Sequence, residues 1–304
     1  MDSFLVAVAQ VAPAFIDRAA TVAKACAVIR EAASRGAKLV VFPEAFVPCY
    51  PFWVWHVPAG DTRTLRELYA ALLDNAVRVP DASTDALCAA ARENGIAVAV
   101  GINEINSEGS GTTLFNSVLY IGPDGAIAGK HRKLIPTSGE RLVHAQGDGS
   151  TLETVDLGFG KLGGLICWEN YMPLARFTMY AAGVELYVAP TWDCGEPWIS
   201  TLRHIAKEGR CYVIGCGSAV RRDDVPEHLR FTADEWINPG DSAVVNPDGK
   251  FVVEPLHERQ EIAYAEISPS LLRGPRFQLD VAGHYGRPDV FQLSVDRAAR
   301  PIIT

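Results

Sequence analysis

The chain has 304 residues, of which 48% are hydrophobic, and a formal net charge of -8. This length predicts a globular protein with a large core, and the acidic balance disfavours binding to nucleic acid or to an anionic membrane. The first residues lack the basic start of a signal peptide, and no segment resembles a membrane span. Seven cysteines without a C-x-x-C pair suggest free thiols, so we expect a cytoplasmic protein.

Short apolar runs rich in Val and Ile predict strands that are covered on both faces. Ala-rich segments with helical periodicity lie between several of these runs, and two of them end at Gly36 and Gly95, where glycine favours the end of a helix. The alternation predicts an α/β fold. The predicted helices cover 18–35 and 83–94, and the predicted strands cover 4–10, 38–42, 96–102, 162–167, 185–190 and 211–216.

The two halves of the chain repeat the same order of features. Each half has a helix, a glycine and a strand, then a second helix and strand, and then a hairpin around a Pro-Asp-Gly turn. The separations between matching features differ, so the chain has no repeat of fixed period. We expect two mixed sheets related by internal pseudo-symmetry, packed together with helices outside, in a single domain over residues 1–304. The paired features lie at 36 and 183, 91–101 and 206–216, and 123–125 and 247–249.

Motifs for nucleotide cofactors and metals are weak. Gly158, Gly160 and Gly163 satisfy G-x-G-x-x-G, but they lie between two predicted strands, which favours a hairpin turn over a dinucleotide site. Residues 125–131 are one residue short of the P-loop spacing. The histidines are scattered, without the i, i+4 pair of a helical zinc site. We therefore expect no cofactor and no metal ion.

Three polar residues follow, or lie close to, predicted strands, namely Glu44, Lys133 and Cys167. Alone, each is more often a solvated charge or an inert core thiol. Side chains at strand ends of α/β folds gather in one crevice, so the three could converge. Glu44 would then act as a base with a raised pKa, and Lys133 would supply a fixed positive charge beside a nucleophilic thiol. Lys133 and the backbone N–H of Trp168 would stabilise negative charge that develops on a heteroatom.

Three segments carry a family resemblance. VVFPEAFVPCYP around Glu44, GKHRKLIPT around Lys133 and GGLICWENYMPLAR around Cys167 resemble, in the same order, the three catalytic blocks of the nitrilase superfamily of carbon-nitrogen hydrolases. The similarity runs from Phe4 to about residue 295, and C-W-E-N resembles the true nitrilase branch. The resemblance implies a four-layer α-β-β-α sandwich. It also implies that Cys167 is the nucleophile, Glu44 the general base, Lys133 the stabiliser of the tetrahedral intermediate, and Glu140 a second glutamate that places substrate and water.

The activity implied by the resemblance is hydrolysis of a small organic nitrile to a carboxylic acid and ammonia. The reaction would pass through a thioimidate and a thioester on Cys167 and would need no cofactor. Two alternatives are an amidase or carbamoylase of the same superfamily, and a catalytically silent binding or scaffold protein. A homo-oligomer, a dimer or larger, is expected.

Aromatic and imidazole side chains near these blocks could line an apolar pocket for the nitrile. The same residues could instead be packing or interface residues, and the sequence leaves both alternatives open. His144 stands where relatives often have Trp. The candidate pocket residues are Tyr50, Trp53, His144, Trp192 and Trp198.

Overall fold

The computed structural model describes residues 2–300 and contains two seven-stranded mixed sheets within that range. The first sheet has the order β14-β1-β2-β3-β4-β5, with β6 paired to β4, and the second has the order β11-β12-β10-β9-β8-β7, with β13 paired to β12. The strands are β1 Phe4–Gln10, β2 Ala37–Val41, β3 Ala97–Ile105, β4 Leu114–Ile121, β5 Ile127–Arg132, β6 His144–Ala145, β7 Val155–Asp156, β8 Lys161–Gly164, β9 Leu186–Thr191, β10 Tyr212–Gly217, β11 Ala219–Arg221, β12 Trp236–Val245, β13 Phe251–His257 and β14 Glu261–Ile267.

Local capping explains where the helices of the first half begin and end. The carboxylates of Asp17, Asp61 and Asp81 accept backbone N–H groups at the first turns of α1, α2 and α3. Gly95 ends α3 in the left-handed conformation, as predicted. Among residues 2–300, no helix has the length and hydrophobicity that a membrane crossing requires. The helices are α1 Arg18–Ser34, α2 Thr62–Asp74, α3 Ala82–Asn94, α4 Pro173–Ala181, α5 Glu196–Gly209 and α6 Ser270–Arg273.

The strand directions confirm the predicted internal pseudo-symmetry. In the first sheet β1, β2 and β3 are parallel, β4 and β5 follow antiparallel, and β14 pairs antiparallel with β1. In the second sheet β8, β9 and β10 are parallel, β12 and β13 follow antiparallel, and β7 pairs antiparallel with β8. The turn between β7 and β8 contains Gly158 and Gly160, so the glycine-rich segment forms the predicted hairpin.

Three hydrophobic clusters separate four layers. The central cluster lies between the sheets and combines Val8 and Val41 of the first sheet with Val188 and Ile214 of the second. A second cluster packs α1 and α3 on the first sheet, and a third packs α4 and α5 on the second. The predicted α-β-β-α sandwich is therefore confirmed. Burial of both faces of each sheet explains why the strands are apolar runs without alternation.

Candidate active site

Lys133 is fully buried and lies between two carboxylates. Its Nζ donates to Glu44 Oε1 at 2.8 Å and to Glu140 Oε2 at 2.7 Å, and neither glutamate is more than 1% exposed. The Cys167 thiol completes the group, because one atom each of Glu44, Glu140 and Cys167 lies within 4.8 Å of the others. The structure thus brings together the four residues that the sequence resemblance singled out.

Three elements hold the Glu44 carboxylate. Besides Lys133, Asn116 Nδ2 of β4 donates to Oε1 at 2.7 Å, and the backbone N–H of Trp192, just after β9, donates to Oε2 at 2.7 Å. Donors from both sheets therefore orient the carboxylate. Glu140 is held in the same manner, since Tyr50 Oη donates to its Oε1 at 2.7 Å and the Thr137 N–H donates to its Oε2 at 2.9 Å.

Cys167 begins a short 3-10 helix, Cys167–Tyr171, directly after β8. The predicted strand 162–167 therefore ends earlier, at Gly164. Cys167 has φ +52, a left-handed conformation that is strained for a residue with a side chain. A Cβ at Gly164 would overlap the carbonyl oxygen of Val188, so glycine allows β8 to approach β9 just before Cys167.

Burial and the central ammonium set the protonation states. Burial raises the pKa of Glu44 to about 7, although Lys133 opposes the shift. Burial also raises the pKa of the Cys167 thiol well above its usual value, and the Glu44 carboxylate adds to this shift. Burial favours neutral Lys133, but the negative charges around it, those of Glu44 and Glu140 among them, together outweigh burial and raise the pKa of the ammonium. Burial likewise disfavours ionised Glu140, yet Lys133 lowers the pKa of that carboxyl.

These protonation states make Glu44 the available base. At neutral pH the thiol is protonated and Lys133 and Glu140 are charged, while Glu44, whose pKa is raised toward neutral pH, is able to accept a proton. Glu44, Glu140 and Cys167 offer three atoms at a spacing that a metal ion could use. The Lys133 ammonium already donates to both carboxylates, so a metal ion would have to displace a protein cation from this position.

Two of the predicted pocket residues contact the clustered carboxylates of Glu44 and Glu140. The rings of Tyr50 and Trp192 stack with centroids 4.5 Å apart, and each residue also donates a hydrogen bond to a site carboxylate. The aromatic segment after Glu44 and the loop after β9 therefore meet beside the cluster.

The Trp168 side chain lies at the surface near the same loop. It is 53% exposed, and its Nε1 donates to Asp193 Oδ2 at 3.0 Å.

His144 lies close to the charged groups but is buried. Its Nε2 is 2.8 Å from Asn103 Oδ1, and the Asn103 amide in turn donates to the carbonyl oxygens of Ala45, Val47 and Cys49. Burial lowers the pKa of His144 to about 4, so the imidazole is neutral at physiological pH. Through Asn103, His144 supports the loop that carries Glu44.

Trp53 and Trp198, two further predicted pocket residues, are packed in the hydrophobic interior. Trp53 is fully buried and packs edge-to-face against Phe15 and Phe52. Trp198 is also fully buried, on the inner face of α5, in the cluster that includes Leu202. Both side chains belong to the core, which is the packing alternative that the sequence left open.

Sequence reasoning missed Asn103 and Asn116, which hold the Glu44 loop and the Glu44 carboxylate. Both are buried polar residues inside otherwise apolar strands and are direct cross-strand partners of β3 and β4. A polar side chain in a strand covered on both faces has to find hydrogen-bond partners within the protein. That signal could have identified both positions, although it could not have named their partners.

The backbone of the Glu44 loop passes so close to β3 that Gly101 admits no side chain. A Cβ at Gly101 would overlap the carbonyl oxygen of Pro43 and would also meet the backbone of Ala45. We expect Gly101→Ala to lower the free energy of unfolding by about 1–3 kcal/mol and to reduce activity, because the loop must move away. Urea denaturation measures the first effect. Gly60→Ala, with no atom within 4 Å of its Cβ, is the control, and equal stability of the two variants would contradict the prediction.

Comparisons with known proteins agree with this geometry. The profile of the family described as carbon-nitrogen hydrolase matches residues 5–276. The chain is 43% identical to an aliphatic nitrilase of Sinorhizobium fredii, over 100% of this chain and 99% of that protein. It is 37% identical to the bifunctional nitrilase/nitrile hydratase NIT4A of Lupinus angustifolius, over 97% of this chain and 87% of that protein. The fold matches Saccharomyces cerevisiae Nit3, of the nitrilase superfamily, with a TM-score of 0.74 and 24% identity over 93% of this chain and 97% of that one. The chain belongs to the carbon-nitrogen hydrolase family.

Proposed function

We propose that this protein is a nitrilase that converts an organic nitrile to the carboxylic acid and ammonia. The observation that carries the proposal is the buried cluster in which the Cys167 thiol meets Glu44 and Glu140 around the Lys133 ammonium. The similarity to proteins named as nitrilases at 43% and 37% identity supports the nitrile as substrate. A carbon-nitrogen triple bond suits this site, since attack on its carbon places negative charge on nitrogen beside a fixed cation.

In the proposed reaction, Glu44 takes the proton of the Cys167 thiol as sulfur attacks the nitrile carbon. Lys133 and the backbone N–H of Trp168 stabilise the charge on nitrogen, and protonation gives a thioimidate. A first water adds to that carbon, ammonia leaves, and a thioester remains. A second water breaks the carbon-sulfur bond, releases the acid and restores the thiol. Two water molecules are consumed for each nitrile.

Glu140 has a separate role in this proposal. Burial disfavours the ionised form of Glu140, but Lys133 and the Tyr50 hydroxyl lower its pKa. Glu140 therefore stays ionised while Glu44 gains and loses a proton. A permanently ionised carboxylate fixes the ammonium and accepts hydrogen bonds from substrate or water. The two glutamates that contact Lys133 can therefore have different roles, one as the base and one as the anchor of the ammonium, because their environments separate their pKa values.

The test of this proposal is a panel of aliphatic, aromatic and arylaceto nitriles, each paired with its amide. We expect acid and ammonia in equal amounts from at least one nitrile class. Much faster hydrolysis of the amides than of the matching nitriles would instead identify an amidase or carbamoylase. A binding or scaffold protein would show neither turnover nor an adduct on Cys167. Quantifying acid, amide and ammonia together separates these outcomes.

The pH dependence of kcat/KM is expected to report the ionisation of Glu44. Below its pKa, which burial raises to about 7, the carboxyl carries a proton and cannot accept one from the thiol. We therefore expect kcat/KM to rise about tenfold per pH unit on the acid side and to level off above about pH 7. Initial rates of ammonia release at low nitrile concentration measure this. Recovery of full activity after return to neutral pH controls for unfolding, and a profile that falls through pH 7 would contradict the assignment.

We further propose that residues 1–304 form one domain that assembles as a homo-oligomer in the cytoplasm. The central cluster, which draws strands from both halves, supports the single domain. Exposed Leu174, Phe277 and Phe291 support assembly, because large apolar side chains at 66%, 88% and 74% exposure favour burial against another surface. Free cysteines support a reducing compartment. Light scattering after size exclusion tests the assembly.

A further inference from the structure

Glu169, two residues after Cys167, is a buried carboxylate that the reaction above does not use. Its Oε2 accepts the backbone N–H of Ile166 at 2.8 Å, and its Oε1 accepts the backbone N–H of Leu134 at 2.6 Å. Ile166 immediately precedes the nucleophile, and Leu134 immediately follows Lys133. The Glu169 carboxylate thus connects the residue before Cys167 with the residue after Lys133.

A third contact fixes the orientation of this carboxylate. His131, on β5 and 1% exposed, places Nε2 at 3.0 Å and 3.2 Å from the two oxygens of Glu169. The other ring nitrogen, Nδ1, is 3.2 Å from Thr151 Oγ1. Both oxygens of Glu169 therefore have defined partners, and His131 holds the side chain from β5, the strand that leads to Lys133.

The backbone at the nucleophile needs such support. Cys167 has φ +52, and a left-handed conformation costs a residue with a side chain about 1–3 kcal/mol, so it persists only where the surrounding contacts compel it. Asn170 holds one side of the turn, because its Nδ2 donates to the carbonyl oxygens of Leu165 at 3.0 Å and of Cys167 at 2.8 Å. Glu169 holds the other side through Ile166. Of these two side chains, Glu169 also contacts the segment after β5, at Leu134.

We propose that Glu169 is a positioning residue that holds the Cys167 thiol in register with Lys133 and Glu44. The proposal rests on the proposed function, because it assigns Glu169 a part in the same reaction. Nucleophile and ammonium come from different sheets, so no single strand sets their separation. A misplacement of about 1 Å at reacting groups can lower a rate about 10²-fold, and a support that fixes this separation acts on the rate more than on substrate binding.

The substitution Glu169→Gln tests the proposal with little change in size. The two backbone N–H groups use different oxygens, and an amide has a single oxygen, so the variant loses one acceptor and turns an NH₂ group toward one donor. We expect kcat per active site to fall about 10²-fold while KM changes less than about threefold. Active sites are counted by the mass of the Cys167 adduct. A residue that only stabilised the fold would lower the number of active sites and leave kcat per site unchanged.

A second measurement does not depend on nitrile turnover. The rate at which iodoacetamide alkylates Cys167, followed by peptide mass spectrometry, reports how well Lys133 and Glu44 assist the thiol. We expect alkylation in Glu169→Gln to be about tenfold slower or more at neutral pH. If the wild-type protein hydrolyses no nitrile, the proposed function fails, and this measurement still decides the role of Glu169.

Asp241→Asn is the matched control. Asp241 is also buried, accepts the backbone N–H of Gly195 at 2.8 Å, and lies 2.7 Å from His257 Nδ1. These partners belong neither to the turn at Cys167 nor to the segment around Lys133. We expect its kcat per site and alkylation rate to stay near wild type. Equal kcat and alkylation rates for Glu169→Gln and the wild type would overturn the proposal. If Glu169→Gln does not fold, Glu169→Asp, which keeps two oxygens on a shorter side chain, is measured instead with the same expectations.

Discussion

Cys167→Ala is expected to abolish ammonia release from nitriles and to leave the fold intact. The thiol forms the covalent bond in the proposed reaction, and alanine offers no nucleophile, so we expect kcat to fall by at least about 10⁴-fold. The side chain is 4% exposed and contributes one sulfur atom to the packing, so we expect a loss of stability of only about 1 kcal/mol. Ammonia assay, circular dichroism and thermal unfolding measure the two effects.

Cys211→Ala is the control for Cys167→Ala, because Cys211 is a fully buried thiol in the cluster between the second sheet and its helices. It removes the same atom from a core and is expected to keep wild-type turnover. Intact-mass analysis after incubation with a slowly hydrolysed nitrile adds a second readout, since the wild type is expected to accumulate a covalent adduct that Cys167→Ala cannot form. Turnover by Cys167→Ala close to that of Cys211→Ala would refute the assignment of the nucleophile.

Lys133→Met is expected to inactivate the protein and to destabilise it strongly. Methionine has a similar length but leaves Glu44 and Glu140 buried beside each other without the cation that both now contact. Removing one partner from a buried ion pair typically costs about 3–5 kcal/mol, because the remaining charge is left without compensation. We expect a loss of that size near pH 8, measured by urea denaturation.

The loss in Lys133→Met is expected to shrink in acid. Without the ammonium, burial and mutual repulsion raise both carboxyl pKa values in the folded state above the value of about 4.3 that applies in the unfolded chain. A raised folded pKa means that the folded state holds the extra proton, so stability is highest at low pH and falls as pH rises through that pKa. Unfolding curves at several pH values check this sign.

Lys130→Met is the control for Lys133→Met. Lys130 lies on β5 and pairs with Glu104, but Arg132 also binds that carboxylate, with Nη2 2.7 Å from Oε1. Glu104 therefore keeps a cation, and we expect a loss below about 1.5 kcal/mol with activity retained. A loss in Lys133→Met no greater than in Lys130→Met would show that the site carboxylates do not depend on the buried ammonium.

Local patterns in the sequence predicted six of the strands, the two helices that end near Gly36 and Gly95, and the hairpins. Gly95 and the Pro-Asp-Gly turns act over a few residues, so these features could be predicted without the tertiary structure. The repeated order of features indicated the pseudo-symmetric sheets. The blocks around Glu44, Lys133 and Cys167 indicated the family, because each keeps its chemistry within a short segment.

The aromatic residues show what local patterns do not predict, namely the direction in which a side chain points. Trp192 and Trp198 lie in the same segment, TWDCGEPW, yet Trp192 stacks beside the site while Trp198 is buried under α5. Residue type indicates that both rings prefer contact with other side chains. The side to which each ring turns depends on the helix that starts between them and on the sheet beneath it.

The sequence by itself determined the layers and the family, and it singled out the residues that the proposed reaction uses. Only the tertiary structure decided that Lys133 lies between Glu44 and Glu140 and that Asn116 and the Trp192 N–H orient Glu44. It also decided that Glu169 joins the segments that follow β5 and β8. These contacts join residues that are distant in the chain. Their distances, and the pKa values that follow from them, arise only when the two sheets pack together and exclude water.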